Sequence, residues 1–191
     1  MRKISNKKII IFNLVQQLLD IYRIPRISNY LLTKFFKFFI KNVKFKYIGR
    51  FSKININAES IIGNNITLGE YSIITNSKGG ELEIHDDVKI SQNVLISSDF
   101  GGKIFIGEGT LIAPNTVIRS SNHLINDDDY SSNEYISKDI YIGSNCWIGA
   151  NCVILAGTKL PNKCVVGALS VTNKEYKEAN LVCGSIANKK K

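Results

Sequence analysis

The sequence predicts a mainly β chain wound as a solenoid, and three observations carry that expectation. An aliphatic residue returns every six positions through Ile142, Ile148, Ile154, Leu160 and Val166. Residues of modest size, Cys146, Cys152, Thr158 and Cys164, sit two positions ahead of the last four of these. The third position after the aliphatics along the chain is Asn65, Asp87, Asn93, Gly109, Asn115, Asn145, Asn151 or Gly157. Asn, Asp and Gly best tolerate a positive φ, which a corner recurring at this spacing demands. A period of six matches neither a helix nor a plain strand alternation. It matches stacked turns, each burying its apolar side against the next. A sandwich of short strands fits worse, because its strands recur at about 8–12 residues.

Taken in order, residues 1–53 form a basic extension with 13 Lys or Arg and one acid, Asp20. Ile9 to Ile24 is apolar but interrupted by Asn13, Gln16, Gln17 and Asp20, and Pro25 ends it. It falls short of the roughly 20 apolar residues of a spanning helix, and no cleavage site marks a signal peptide. A second apolar stretch, Ile27 to Ile48, interleaves phenylalanines with lysines. Both stretches read as helices. They suit a cap over the open first coil, as terminal repeats need, and equally a surface that touches an anionic membrane.

Residues 54–188 form the repeat body, and from residue 54 to the end of the chain acids outnumber Lys and Arg by three. The charge of the whole chain therefore belongs to the arm, and neither part carries a nucleic-acid-binding signature. Ile62, Leu68 and Ile74 start the ladder, followed by Ile84, Ile90 and Ile96, then Ile106, Ile112 and Ile118. The breaks from 74 to 84 and from 96 to 106 each add four residues to a hexad. Gly79-Gly80 and Gly101-Gly102 suit turns there. Ser97, Ser98 and Asp99 fall at the second break and read as turn residues. His85 reads as a surface residue.

The four cysteines make no CxxC pair and no metal spacing. Cys146, Cys152 and Cys164 take the inward small-residue phase, so reduced core thiols are expected, with Cys183 structural in the tail. The ladder then stops between Ile118 and Ile142. Residues 120–138 read as a loop that leaves the solenoid, and a loop this long in a compact domain usually has a function. It contains His123, one of two histidines in the chain.

The pattern resembles the hexapeptide-repeat acyltransferases over about residues 55–188. The segments CWIGANCVILAG and VVGALSVTNK are similar to that family's closing stretch, and ANLVCGSIAN is similar to its tail, with Ser185 and Ile186 departing from the usual residues. The resemblance implies a left-handed parallel β-helix with three hexads to a coil. It also implies a loop histidine as general base, matched here by His123 in Ser121-Asn122-His123. An alcohol is a weak nucleophile at neutral pH, and an imidazole with an ordinary pKa near 6.5 can take its proton as the new bond forms. Asp127, Asp128, Asp129 and Glu134 are near in sequence, and none is assigned as the orienting group.

The resemblance further implies acetyl-CoA as acyl donor, lying in a groove between subunits of a homotrimer. The matching positions are Trp147, Gly149, Ala150, Gly167, Ala168, Ser170, Thr172 and Lys174. An oxyanion donor is expected near the Trp147–Ala150 corner. The implied activity is transfer of an acetyl group to a hydroxyl of a sugar, nucleotide sugar or oligosaccharide in cell-surface polysaccharide synthesis. The implied location is cytoplasmic, with possible contact at the inner membrane face. An amino-sugar N-acetyltransferase and a non-catalytic scaffold are the alternatives. A serine acetyltransferase would need a long helical N-terminal domain. The zinc hydratase of this fold needs three histidines per site, so no metal is expected.

Overall fold

The computed structural model describes residues 45–57, 59–125, 130–178 and 180–184. They form a parallel β-helix with three faces. The first coil holds β1 (Phe45–Ile48), β2 (Lys53–Asn55) and β3 (Ile61–Ile62). The second holds β4 (Ile66–Leu68), β5 (Ile73–Ser77) and β6 (Glu81–Ile84), and the third β7 (Lys89–Ile90), β8 (Leu95–Asp99) and β9 (Lys103–Ile106). The fourth holds β10 (Leu111–Ile112) and β11 (Val117–Arg119), then a two-strand detour, β12 (Ser121–Ile125) and β13 (Tyr130–Ser137), before β14 (Ile140–Ile142). The fifth holds β15 (Trp147–Ile148), β16 (Val153–Leu155) and β17 (Lys159–Leu160), and β18 (Val165–Val166), β19 (Val171–Thr172) and β20 (Leu181–Val182) follow.

Each face is one sheet. The first stacks β1, β4, β7, β10, β15, β18 and β20; the second stacks β2, β5, β8, β11, β16 and β19; the third stacks β3, β6, β9, β14 and β17. Every aliphatic of the ladder lands on its counterpart one coil away, as Ile96 does on Ile118 and Ile118 on Ile154. These side chains are buried along the axis. The positions two before them point inward too, and Cys146, Cys152, Thr158 and Cys164 are all buried there. A fully buried aliphatic of this size contributes about 1.5–3 kcal/mol, so the stacked ladder is the dominant source of stability.

All eight corner residues expected from the sequence have a positive φ, from 56° at Asn93 and Asn145 to 88° at Gly157. Phe51, Tyr71, Lys163 and Leu169 do the same work at four further corners, with φ between 58° and 61°. Several polar groups facing inward are satisfied by the next coil. Thr110 Oγ1 donates to the Gly143 carbonyl at 2.9 Å and Thr116 Oγ1 to that of Gly149 at 3.0 Å. Cys146 and Cys152 Sγ lie 3.2 and 3.1 Å from the carbonyls of Pro161 and Gly167. Burial pushes all three inward thiols above the ordinary value. All four cysteines are free, and Cys183 is exposed rather than packed.

One expectation changes at the N-terminal side. The helix read over Ile27 to Ile48 does not reach its end, because Phe45–Ile48 is β1 and pairs in parallel with β4. Phe45 and Ile48 are both buried, and pairing with β4 overrides helical spacing there. The rest of the arm, with its expected cap or membrane role, lies outside the described residues.

Candidate active site

The three faces meet at three edges, and one edge differs from the others. Where β5 passes to β6, the chain turns through Ser77, Lys78, Gly79 and Gly80, closed by Gly80 N–H donating to the Ser77 carbonyl at 2.9 Å. Where β8 passes to β9, Asp99, Phe100, Gly101 and Gly102 repeat the same turn. Both central residues of each have a positive φ: 48° and 81° in the first, 55° and 81° in the second. That is the signature of a type I′ turn. The glycines read from the sequence as turn residues are turn residues. Gly80 is further required by proximity, since a Cβ there would lie 1.9 Å from the Ser98 carbonyl oxygen.

Ser97, Ser98 and Asp99 are held inside β8 rather than exposed at the break. Ser98 Oγ is 2.6 Å from both the Glu81 and Gly102 carbonyls. The Asp99 carboxylate accepts hydrogen bonds from Ser97 Oγ and, at 2.7 Å, from Ser77 Oγ. These bonds lock the two turns to one another.

In the fourth coil the same edge carries the detour. The expected loop is an antiparallel hairpin of β12 and β13, with Ser121 opposite Ser137 and His123 opposite Tyr135. Its base is tied to the edge by Ser137 Oγ, which donates to the Phe100 carbonyl at 2.7 Å, and by Lys138 N–H, which donates to Ser120 O at 3.0 Å. His123 is exposed, and its ring lies 4.7 Å from the Tyr135 ring at 40°. Tyr135 stacks on Phe100 at 3.5 Å and 13°, and Lys78 Nζ sits 4.3 Å from the Phe100 centroid. A column of four side chains therefore runs along this edge from the second coil to the imidazole. Asp127, Asp128 and Asp129 lie outside the described residues, and Glu134 is exposed on β13. His85 sits on the third face, its ring 4.6 Å from Phe105.

Most of the residues matched to a coenzyme groove fall elsewhere on the prism. Trp147 is 55% exposed on the first face, in register with Leu111 and Val165. Gly149 and Ala150 follow at the edge between the first and second faces. Gly167 and Ala168 occupy that edge one coil further on. Ser170 and Thr172 point into the coil. Both are buried in the coil, where Ser170 Oγ accepts from Gly184 N–H at 3.1 Å and Thr172 Oγ1 lies 3.1 Å from Thr158 Oγ1. Any contact they make with a coenzyme is through backbone. Lys174 is exposed beyond β19, on the hairpin's edge.

A Cβ on Gly149 would lie 2.5 Å from Ala168 N, so glycine is demanded by the neighbouring coil. The amides of Trp147 and Gly149 donate to the Cys164 and Val166 carbonyls, which removes both as oxyanion donors. Within one chain, then, His123 and the Trp147–Ala150 corner stand at different edges. Sequence reasoning misses the aromatic and cationic partners of His123. The signal available is Phe100, an aromatic residue ahead of paired glycines.

Residues 140–171 match the family model described as hexapeptide repeat of succinyl-transferase. Among solved structures, a hexapeptide-repeat-containing acetyltransferase from Vibrio cholerae O1 biovar eltor, complexed with acetyl coenzyme A, is 22% identical with a TM-score of 0.51. The match covers 94% of this chain and 86% of that one. The polySia-specific acetyltransferase NeuO is 20% identical over 75% of this chain and 76% of that one, at a TM-score of 0.51. The N-acyltransferase AntD from Bacillus cereus, as a point mutant in complex with dTDP and coenzyme A, is 15% identical over 75% and 78%, also at 0.51. At these identities the likeness is one of fold.

Proposed function

We propose that this hexapeptide-repeat β-helix protein is an acyltransferase that moves an acetyl group from acetyl-CoA to a hydroxyl of a sugar acceptor, with His123 as general base. The observation that carries the reading is the hairpin, which interrupts an otherwise continuous ladder and presents an exposed imidazole held against Tyr135. A scaffold has no need of such an interruption. The family match, and neighbours of the same fold that are acetyltransferases or N-acyltransferases, support acyl transfer from a coenzyme A thioester.

In this reading, His123 accepts the proton of the acceptor hydroxyl as its oxygen bonds to the thioester carbonyl carbon. The tetrahedral intermediate collapses with loss of the coenzyme A thiolate, which takes the proton back from the imidazolium. A positioned base of this kind is worth about 10²–10⁴-fold in rate. An amine acceptor would follow the same course, and an amino-sugar acceptor is the variant reading. Because His123 and the Trp147–Ala150 corner occupy different edges of one prism, a shared site requires two copies of the chain, and the proposal includes a homotrimer. The sugar class and a role in cell-surface polysaccharide synthesis belong to the same proposal.

The test is thiol release from acetyl-CoA across a panel of nucleotide sugars and oligosaccharides. We expect one acceptor class to stimulate release, His123→Ala to lower it about 10²–10⁴-fold without lowering the melting temperature, and sedimentation to report a trimer. A His123→Ala protein with full turnover refutes the base. No stimulation by any hydroxyl or amine acceptor favours the scaffold. The basic arm supports a further placement at an anionic membrane face. Vesicles containing anionic lipid should sediment the full chain at low salt, and a chain lacking residues 1–44, cut ahead of β1, should stay in solution.

A further inference from the structure

We infer that Tyr135 is a positioning residue for the His123 imidazole, and that Phe100 fixes Tyr135 from the coil below. The inference rests on the role proposed above for His123. A two-stranded hairpin standing outside a sheet is marginal by itself. A base on it is effective only if its ring nitrogen is held near one place, and a misplacement of about 1 Å can cost about a hundredfold. The imidazole faces Tyr135 directly across the strands at 4.7 Å. Tyr135 in turn lies flat on Phe100 at 3.5 Å, and Phe100 belongs to the prism rather than to the hairpin.

The position of Phe100 supports this reading. It occupies the first central position of a type I′ turn, with φ at 55°, where Asn, Asp or Gly would be less strained. A side chain in that conformation projects along the edge toward the neighbouring coil. The aromatic corner residues Phe51 and Tyr71 show the same effect, stacking at 5.0 Å and 16°. At the hairpin's edge, the stack is extended by Lys78, also left-handed at 48°, whose Nζ is 4.3 Å from the Phe100 centroid and 5.7 Å from that of Tyr135. A cation this close to both rings adds an attraction to the column. The column thus couples two rigid turns of the prism, themselves locked through Asp99, to the one side chain proposed to move a proton.

The experiment compares Tyr135→Ala, Tyr135→Phe and Phe100→Asn in the full chain. Asn suits the left-handed turn, so Phe100→Asn removes the ring without threatening the fold. We expect Tyr135→Ala to lower kcat about ten- to a hundredfold with KM for acetyl-CoA unchanged, Phe100→Asn to lower it by less, and Tyr135→Phe to restore it. A second readout is independent of activity. The chain has two histidines, so a ¹³C-histidine spectrum resolves His123. Its imidazole C–H resonance should move in Tyr135→Ala, as the ring current is lost, and stay in Tyr135→Phe. An unmoved resonance, or full kcat in Tyr135→Ala beside an inactive His123→Ala, overturns the positioning role. Full turnover in His123→Ala instead overturns the premise.

Discussion

The second and third coils, ahead of the hairpin, and the coils behind it share one rung and differ at one edge. Behind it, from Ile142 to Thr172, the ladder repeats at 18 residues, with Ile142 on Leu160 and Ile154 on Thr172. In the coils ahead of it, the same rungs recur at 22 residues, as from Ile74 to Ile96. The surplus is spent at the edge between the second and third faces. The regular coils carry the repeat signature that identifies the architecture, and the family match falls on them. The irregular edge carries the turns, the column and the imidazole. Regularity here reports how the chain stacks; departure from it reports where a side chain is being aimed.

The contrast is tested most severely by pairing one substitution from each region. Ile154→Ala empties a buried rung in the regular part, and should cost about 2–5 kcal/mol, read as a lower melting temperature, while the surviving folded protein keeps its turnover. His123→Ala should do the reverse. If both variants lose stability alike, the hairpin is part of the frame rather than an appendage to it.

A smaller effect separates two glycines. Gly149→Ala forces a Cβ to within 2.5 Å of backbone in the adjacent coil, and should cost about 1–3 kcal/mol or more. At Gly101 a Cβ meets no atom within 4 Å, and only its φ of 81° penalises a side chain. Gly101→Ala should cost about 1–2 kcal/mol. Chemical denaturation of the two variants orders them. Equal losses would mean that coil spacing is looser than the contact distances require.

The smallest effect concerns the thiols. With burial pushing Cys146, Cys152 and Cys164 above their ordinary 9.0, a thiol reagent at pH 8 should modify one exposed cysteine, Cys183, per native chain and all four after denaturation. The sign of the linked stability follows. A raised native value means that the unfolded chain loses these protons first. Their contribution is complete below the unfolded thiol range and declines as pH climbs above about 9, which melting temperatures between pH 8 and pH 10 will register.

Much of this architecture can be read in the residues, and the limits have physical causes. Asn65, Asp87, Asn93 and their equivalents announce their corners because their side chains favour a left-handed backbone. Phe51, Tyr71, Lys163 and Leu169 give no such sign, since their conformation is imposed by the rungs on either side. Phe45–Ile48 reads as helix because four residues carry too little periodicity to tell the two apart. The detour is visible as a gap in the ladder, but its form is not. Hairpin pairing of Ser121 with Ser137 and His123 with Tyr135 depends on the turn between them. Ser170 and Thr172 lie in the inward phase that Cys164 and Val166 set six residues earlier, so their burial is available from spacing alone. The column from Lys78 to His123 is not, because it joins three coils through side chains with no common period.

The fourth coil spans 36 residues between rungs, as from Ile118 to Ile154, and the parallel ladder resumes in register beyond it. Closure of a turn thus depends on where its inward side chains land, and hardly at all on how far the chain has wandered between two of them. Chain length added at that edge is entropically inexpensive, so the frame is indifferent to the size of what hangs from it. A graft of a longer or shorter hairpin between Arg119 and Ile140 should fold as readily, so this edge can be rebuilt while everything beneath stays fixed.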